Sequence, residues 1–334
     1  MQNPTQIPYE GAFDSSVRNL VNQNFTSLFG AILPVGTVYF LDPANGSDAN
    51  DGLSPASSLR TLGVAFGKCV AGQNDTIILI GNGTTSATAR VNAAFDWNKN
   101  ATHLIGYSSG VRISNRSRIA PDSATTAFAN FFTVSASGCR FSNIQWFHGF
   151  ASGVAAAICM TVTGGRNRFE GCHIAGMGDA TSAQSTTSRS LKISGTGENE
   201  FVNCTIGLDT VTRTVANASL EFAGGAPRNE FRHCVFPFVG SSATVLGVLV
   251  SAAAGSDRFQ LFDHCLFINA IKSGSTAMTA LSTLAASMGG MHIYKDCSLI
   301  GITDFFTDAT SAAQMYLDGA PVAAATSGLA VNPA

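Results

Sequence analysis

The sequence predicts an all-β solenoid of parallel strands, and three observations lead to this prediction. A six-residue phrase, aromatic–x–x–small or apolar–x–apolar, occurs six times between residues 141 and 299. Its aromatic residue recurs after 28, 32, 30, 31 and 32 residues, a period typical of proteins whose repeats stack on one another. Only 12% of residues are charged, which favours a rigid β protein with covered faces. The phrases begin at Phe141, Phe169, Phe201, Phe231, Phe262 and Tyr294.

Each phrase contains the signal for a tight turn. The cysteine of the phrase and the apolar residue two positions later face the same side of a strand, whereas the aromatic residue three positions earlier breaks this alternation. One residue between them must therefore turn the chain. The residue before the cysteine position is always a type that tolerates a left-handed backbone. These residues are Asn143, Gly171, Asn203, His233, His264 and Asp296.

Five of the eight cysteines occupy the same position of the repeat, and stacked strands lie about 4.8 Å apart. We therefore expect one interior column of reduced thiols, since free cysteine packs as a small apolar residue. Zinc needs ligands that converge from several directions, and a single column does not supply them. We predict no cofactor and no bound metal. The column consists of Cys172, Cys204, Cys234, Cys265 and Cys297.

Apolar or alternating stretches upstream of each phrase predict a further strand in every coil. Loops of variable length between the strands must project outward. About eight coils are expected, which gives a prism roughly 40 Å long. The predicted strands include 76–80, 103–107, 191–193, 219–222, 245–250 and 314–317, and the loops include 177–189 and 208–217.

The segment before the repeats reads DPANGSDANDGLSP from Asp42 to Pro55 and NDTIIL from Asn74 to Leu79. It resembles the opening cap of right-handed parallel β-helices in bacteriophage tailspikes and polysaccharide-degrading enzymes, the pectate-lyase-like superfamily. Asn74 stands where that family usually has glycine. The resemblance implies a single-stranded right-handed parallel β-helix over residues 37–317, with residues 37–75 as its cap. It is specific for the fold and says little about activity.

Residues 1–36 contain an apolar stripe at helical spacing, opened by the capping candidates Asp14 and Ser15. One interpretation is a helix that covers the end of the solenoid. The favoured interpretation is a helix for anchoring or oligomerisation, partly because phage appendages often begin with one. Residues 318–334 lack the repeat and are expected to form a loose tail or an arm. The stripe consists of Phe13, Val17, Leu20, Val21, Phe25, Leu28 and Phe29.

Charge and hydropathy argue against two classes of partner. The net charge of −2 gives no electrostatic basis for binding nucleic acid. The sequence contains no run of 18 apolar residues, so no membrane span is predicted. The N-terminus lacks the pattern of a signal peptide. We expect synthesis in a host cytoplasm.

Glu200 and Glu230 are the best candidates for a pair of catalytic carboxylates, because equivalent positions on adjacent coils lie about 5 Å apart. A structural role is the favoured alternative, because Arg168 on the preceding coil can pair with Glu200. In a neighbouring column Arg232, Asp263 and Lys295 alternate in charge in the same way. His233 and His264 are a weaker candidate pair, since both occupy the predicted turn.

Asp48, Asn50 and Asp51 superficially resemble a calcium loop, but the glutamate that closes such a loop is absent. Turn formation by Asp and Asn explains this segment better. Trp146 and Phe147 can stack on sugars if they are exposed and belong to the core otherwise.

The sequence thus predicts a structural protein of the bacteriophage virion surface. We expect a homotrimer that contacts other virion proteins, as a head-decoration or a fibre- or spike-like protein. The alternative is a tailspike that binds or cleaves host surface polysaccharide, with host glycans as partners. No catalytic residue is assigned.

Overall fold

A computed structural model describes residues 36–108, 111–122, 128–149, 157–269, 276–285, 288–306 and 315–317. The predicted helix in residues 1–36, the arm 318–334 and the apolar stripe residues lie outside these ranges. Within them, three sheets of parallel strands run along the molecule, and each turn of the chain adds one strand to each sheet in order. The predicted single-stranded parallel β-helix is therefore confirmed. In the part of the chain that is described, no helix is long and apolar enough to span a membrane.

The strands are numbered in chain order, and the first sheet, sheet A, has ten of them. They are β1 (Val38–Leu41), β2 (Thr76–Ile80), β5 (His103–Tyr107), β8 (Arg140–Ser142), β11 (Arg168–Glu170), β14 (Glu200–Val202), β17 (Ala226–Arg232), β20 (Ser256–Asp263), β23 (Met291–Lys295) and β26 (Met315–Leu317).

Sheet B has eight strands and follows sheet A in each coil. They are β3 (Ala89–Val91), β6 (Arg118–Pro121), β9 (Gln145–Phe147), β12 (His173–Ala175), β15 (Thr205–Ile206), β18 (Val235–Phe238), β21 (Leu266–Asn269) and β24 (Ser298–Ile300).

Sheet C also has eight strands and completes the coil. They are β4 (Phe95–Trp97), β7 (Asn130–Val134), β10 (Ile158–Val162), β13 (Arg189–Ile193), β16 (Ala218–Phe222), β19 (Leu246–Val250), β22 (Met278–Thr283) and β25 (Ile302–Phe306). Short helices lie between strands: α1 (Leu62–Lys68), α2 (Ala180–Ala183) and 3₁₀ turns at Pro55–Ser57, Thr85–Ala87 and Ala253–Gly255.

The cap segment closes the first coil through polar contacts. Helix α1 begins after Thr61, whose side chain accepts a hydrogen bond from the Val64 N–H. The Asp75 carboxylate accepts hydrogen bonds from the N–H groups of Thr37 and Val70, at 2.7 Å each. Asp75 thereby joins the start of β1, the end of α1 and the start of β2, and this explains the aspartate in the NDTIIL motif.

The aromatic residues of the repeat form a continuous stack inside the helix. Neighbouring ring centroids lie 4.6–4.9 Å apart, and their planes differ by 11° or less. Such offset stacking adds to the stabilisation from burial alone. The stack runs through Phe141, Phe169, Phe201, Phe231, Phe262 and Tyr294.

The cysteine column is present beside this stack, and its thiols are free. Each Sγ donates to the carbonyl of an aromatic residue, as Cys204 does to Phe169 O and Cys234 does to Phe201 O, both at 3.4 Å. Burial raises the pKa of the Cys172 and Cys204 thiols well above its usual range. The predicted interior column is confirmed for four cysteines, whereas Cys297 at the end is half-buried.

The predicted turn residues all have positive φ, between 49° and 62°. A second left-handed column, which we did not predict, lies where sheet C leads into sheet A. It consists of Arg166, Glu198, Arg228 and Arg258, with φ between 50° and 61°. Arginine and glutamate do not favour this conformation. The sequence signal at these positions is therefore weak.

A column of buried side-chain amides follows this second turn, and the sequence analysis did not predict it. The side-chain oxygen of Asn199 accepts from the Asn167 N–H, and that of Asn229 accepts from the Asn199 N–H, both at 3.1 Å. Gln260 continues the column, since its Oε1 accepts from the Asn229 Nδ2 at 2.9 Å. These residues are at most 1% exposed, and their hydrogen bonds satisfy the backbone at the turn.

Candidate functional site

Glu200 and Glu230 lie side by side on the outer face of sheet A, in the predicted register. Both carboxylates already have cationic partners. Arg168 forms a close ion pair with Glu200, as expected, and Arg232 pairs with Glu230. The Arg232 Nε also lies 3.9 Å from a Glu200 oxygen. The two carboxylates are therefore held within a charge ladder.

The same ladder extends to both sides of this pair. Arg140 contacts Glu170 at 2.7 Å, and Glu170 also contacts Arg168 at 3.3 Å. Burial alone would lower the pKa of Arg168, but hydrogen bonds and charge interactions with the two glutamates raise it above its usual range. Each of the three carboxylates of the ladder, Glu170, Glu200 and Glu230, thus contacts at least one arginine.

Glu198 lies in the second turn column and contacts two arginines. Arg228 pairs closely with one carboxylate oxygen, and the Arg166 Nε lies 2.8 Å from the other. The hydrogen bond from Arg228 is the main cause of a lowered Glu198 pKa. Cross-coil charge alternation was predicted for the strands, and the structure shows that it also occurs in the turn.

His233 and His264 occupy the first turn column, and their ring centroids are 5.1 Å apart. His264 Nδ1 lies 2.8 Å from Asp263 Oδ1 and its Nε2 lies 3.6 Å from Asp296 Oδ2. These three side chains could together hold a metal ion. However, the Lys295 ammonium already lies 3.5 Å from Asp263 and 3.9 Å from Asp296. The Lys295 ammonium is thus already a cationic neighbour of both carboxylates.

The cap loop uses its acidic residues for turns, in line with the favoured interpretation. Asp48 Oδ1 accepts from the N–H groups of Arg60 and Thr61, at 3.0 and 2.9 Å. Burial raises the Asp48 pKa, but the hydrogen bonds outweigh it and the net pKa is lowered. Asp51 accepts from Leu53 N at 3.0 Å, and the Asn50 amide donates to a backbone carbonyl. The oxygens of this loop already serve local turns.

Trp146 and Phe147 differ in their environment. Trp146 is fully buried within the core and cannot stack on a sugar. Phe147 is half-buried, and the Arg118 guanidinium lies over its ring at 5.3 Å. This cation–π contact occupies one face of the ring.

A charged cluster that was not predicted lies on the outer face of sheet C. Arg189 Nε donates to Glu221 Oε2 at 2.8 Å, and both side chains are less than 10% exposed. The Lys192 ammonium lies 4.0 Å from the other Glu221 oxygen, and the Lys192 side chain is 31% exposed. Burial lowers the Arg189 pKa, which Glu221 partly offsets. The only sequence signal is that Arg189, Lys192 and Glu221 belong to neighbouring strands of one sheet.

No protein-family model and no curated protein matches the chain. Solved structures do match. A pectin methylesterase variant in complex with a hexasaccharide aligns with a TM-score of 0.57 at 15% identity, over 86% of this chain and 91% of that one. Pectate lyase Pel9A aligns with a TM-score of 0.56 at 14% identity, over 84% and 67%. At this identity the likeness establishes a shared parallel β-helix fold. The bacteriophage part of the resemblance remains a prediction.

Proposed function

We propose that the chain is a structural protein of the bacteriophage virion surface, in which the β-helix acts as a scaffold. The observation that carries this proposal is the charge ladder on sheet A. Glu200 and Glu230, the best candidates for catalysis, both have arginine partners. A surface of mutually neutralised charges suits packing against neighbouring protein. The motif resemblance of the cap to phage β-helices supports the particle context.

Residues 1–36 are proposed to attach the chain to the particle and to hold three copies together. We favour a head-decoration or a small fibre-like role. The experiment is deletion of residues 1–30, with deletion of residues 318–334 as the matched control. We expect the N-terminal deletion to fold, judged by its circular dichroism, but to be missing from purified particles. Incorporation of this variant at the normal level would contradict the attachment role.

The trimer is tested separately by light scattering of the purified chain. Three copies are expected for the full-length chain and one copy after deletion of residues 1–30. A monomeric full-length chain would refute the trimer and leave the attachment role to be judged by the particle experiment.

The second candidate is a β-helix protein that binds or cleaves host surface polysaccharide. Two observations favour it: the solved structures with this fold include enzymes of pectin and pectate, and sheet C carries the Arg189–Glu221–Lys192 cluster. In this class of chemistry a carboxylate or a lysine can serve as acid or base.

A turnover assay on host polysaccharide separates the two candidates. The scaffold proposal expects no product from the unmodified chain. If product forms, Glu221→Gln, Glu200→Gln and Glu230→Gln are compared, with Glu198→Gln as a control in the turn. Loss of turnover in one of the first three variants and not in the control would establish the second candidate.

A further inference from the structure

A cleft of about 590 Å³ lies between the cap and the first coils. It is bordered by the residues that follow β1, by the start of α1 and by the segment around β3 and β4. Its charged lining residues are Arg60, Arg90 and Asp122. Part of the lining belongs to the cap, and Asp48 of the cap loop accepts from the backbone of Arg60 and Thr61, but no binding role has been assigned to the cleft itself.

The two arginines are each fixed by one hydrogen bond and keep further donors for a ligand. Arg60 Nε donates to Gly46 O at 3.1 Å, and Arg90 Nη1 donates to Pro121 O at 2.9 Å. Within the described ranges, no carboxylate lies within 4 Å of either guanidinium group. The charge of Arg60 acts on the Asp48 carboxylate without a direct contact between the two groups. A guanidinium that is oriented and contacts no carboxylate is suited to bind an oxyanion through two parallel hydrogen bonds.

The distribution of charge over the chain makes this arrangement unusual. Residues 36–122, which include every residue that borders the cleft, contain seven lysines and arginines and six aspartates, a local net charge of +1 in a chain of net charge −2. Among the described residues, five arginines of this segment have no ion pair: Arg60, Arg90, Arg112, Arg116 and Arg118. Of the eight later arginines, Arg213 contacts no carboxylate and donates to Ser219 and to backbone carbonyls. The other seven each contact a carboxylate: Arg140, Arg166, Arg168, Arg189, Arg228, Arg232 and Arg258.

Several of the unpaired cations lie near one another. Burial removes water from the Arg118 guanidinium and lowers its pKa, and repulsion from the charges of Arg116 and Arg90 lowers this pKa further. Like charges that accumulate without a counter-ion raise the positive potential of a concave surface and attract anions to it. Asp122, the acidic residue of the lining, is engaged within the protein.

The remaining lining residues indicate the size and polarity of the ligand. Hydroxyl and amide groups come from Ser86, Thr88 and Asn92, and an apolar wall comes from Ala94 and Phe95. This combination suits a small polar body with one apolar side, such as a sugar ring. We propose that the cleft binds a small anionic ligand, a phosphate or carboxylate group carried on a sugar-sized polar body, with Arg60 and Arg90 as the anion-binding residues.

The proposal does not depend on the virion role and is tested on the purified full-length chain. Binding of glucose 6-phosphate, glucuronate, glucose and inorganic phosphate is measured by NMR titration. At least one charged sugar is expected to bind with a dissociation constant of about 1 mM or below, and glucose at least ten times more weakly. The preference between the two charged sugars distinguishes phosphate from carboxylate recognition.

Arg60→Gln and Arg90→Gln are each expected to weaken this binding at least tenfold. Arg258→Gln, an exposed arginine far along the solenoid, is the matched control and should bind as the unmodified chain does. Chemical shifts of distant core residues verify that each variant is folded. Absence of binding by both charged sugars, equal binding of glucose, or unchanged binding in both cleft variants would overturn the proposal. Inorganic phosphate binding as tightly as both charged sugars would also overturn it, since the sugar body would then contribute nothing.

Discussion

Two regions of the solenoid differ in their turns, their core residues and their charge partners. They are the first coils, over residues 76–121, and the regular coils, over residues 139–299. In the regular coils sheet A leads into sheet B through one left-handed residue, and interior rings stack in a column. In the first coils Leu104 takes the place of the ring, and longer loops replace the tight turn. Seven of the eight arginines of the regular coils have carboxylate partners, and Arg213 instead donates to backbone carbonyls and to Ser219, whereas the described arginines of the first coils have no carboxylate partner.

This difference indicates that the two regions of the solenoid have different properties. In the regular coils, equivalent contacts recur from turn to turn: backbone hydrogen bonds between strands, ring stacking in the core and ion pairs on the surface. The first coils give up this repetition and keep exposed donors and a cleft. A loop from the first coils also reaches the regular ones: the Arg112 guanidinium donates to His233 O at 3.1 Å, and Ser114 N donates to His173 Nδ1 at 3.0 Å.

The largest expected effect comes from the ring column. Phe201→Ala removes a fully buried ring that stacks on Phe169 and Phe231 and should lower the free energy of unfolding by about 3–5 kcal/mol. Leu104→Ala, at the equivalent position in the first coils, should cost less because no ring stack is lost. Urea denaturation measures both. An equal or larger loss for Leu104→Ala would remove the energetic distinction between the two regions.

The next largest effect is expected on the pH dependence of stability, through the contact of His173 with the loop that joins the two regions. His173 is buried, which lowers its pKa to about 4, and its Nε2 donates to Gly207 O so that Nδ1 accepts from Ser114 N. The Gly207 carbonyl and Asp209 oppose this shift, while the charge of Arg118 adds to it. The unfolded chain takes up the proton near pH 6.5, before the folded one does. Stability contributed by neutral His173 is therefore fully present above pH 6.5 and is lost as the pH falls toward 4.

We expect this histidine to account for about 2–3 kcal/mol between pH 7 and 4. Denaturation at several pH values should show a smaller pH dependence for His173→Asn than for the unmodified chain. Asn98→Ala, at an exposed position that carries no titratable group, is the control, and its pH dependence should match that of the unmodified chain. The protection of the Ser114 amide, its exchange rate compared with that of an unstructured peptide at the same pH, should fall toward pH 4. Unchanged protection would argue against the link between loop and histidine.

A contact could be predicted from the sequence where it recurs with the repeat and where the residue type itself indicates burial or a turn. The ring column, the thiol column and the turn at Asn203 were predicted because one residue type or one backbone preference recurs at a fixed period. The cross-coil pair of Arg168 and Glu200 followed from the same register. The amide column has a periodic signal two residues before each ring, but its polar side chains resemble surface residues until their burial is known. The contact of Arg112 with His233 spans 121 residues and follows no period.

The amide column provides a third, intermediate effect. Asn199→Ala leaves the Asn167 N–H without its acceptor and Gly164 O without its donor, both in the interior. A total loss of about 1–3 kcal/mol is expected, because water that enters the vacated space can hydrate part of these groups. Asn98→Ala, at an exposed position in the first coils, should change stability by less than about 0.5 kcal/mol. Similar small changes in both variants would show that the column is not structural.

The smallest effect is expected from the charge ladder. Arg168→Gln removes pairs with Glu170 and Glu200, but its side chain is 37% exposed and solvent screens its charge. The expected loss is at most about 1 kcal/mol and should shrink further at high salt. A loss above 2 kcal/mol in the denaturation assay would mean that the ladder stabilises the fold as strongly as its interior does.

The ring column has a consequence for how the molecule can change in length. Because neighbouring regular coils place equivalent residues in register, removing residues 200–229 would bring Phe231 onto Phe169 with the turn, thiol and amide columns still aligned. Inserting a copy of the same segment would do the reverse. The fold can therefore be shortened or extended by whole turns of about 4.8 Å, with its ends unchanged. Duplication or loss of a single coil is thus a simple evolutionary route by which chains of this fold can change their length while both ends stay the same.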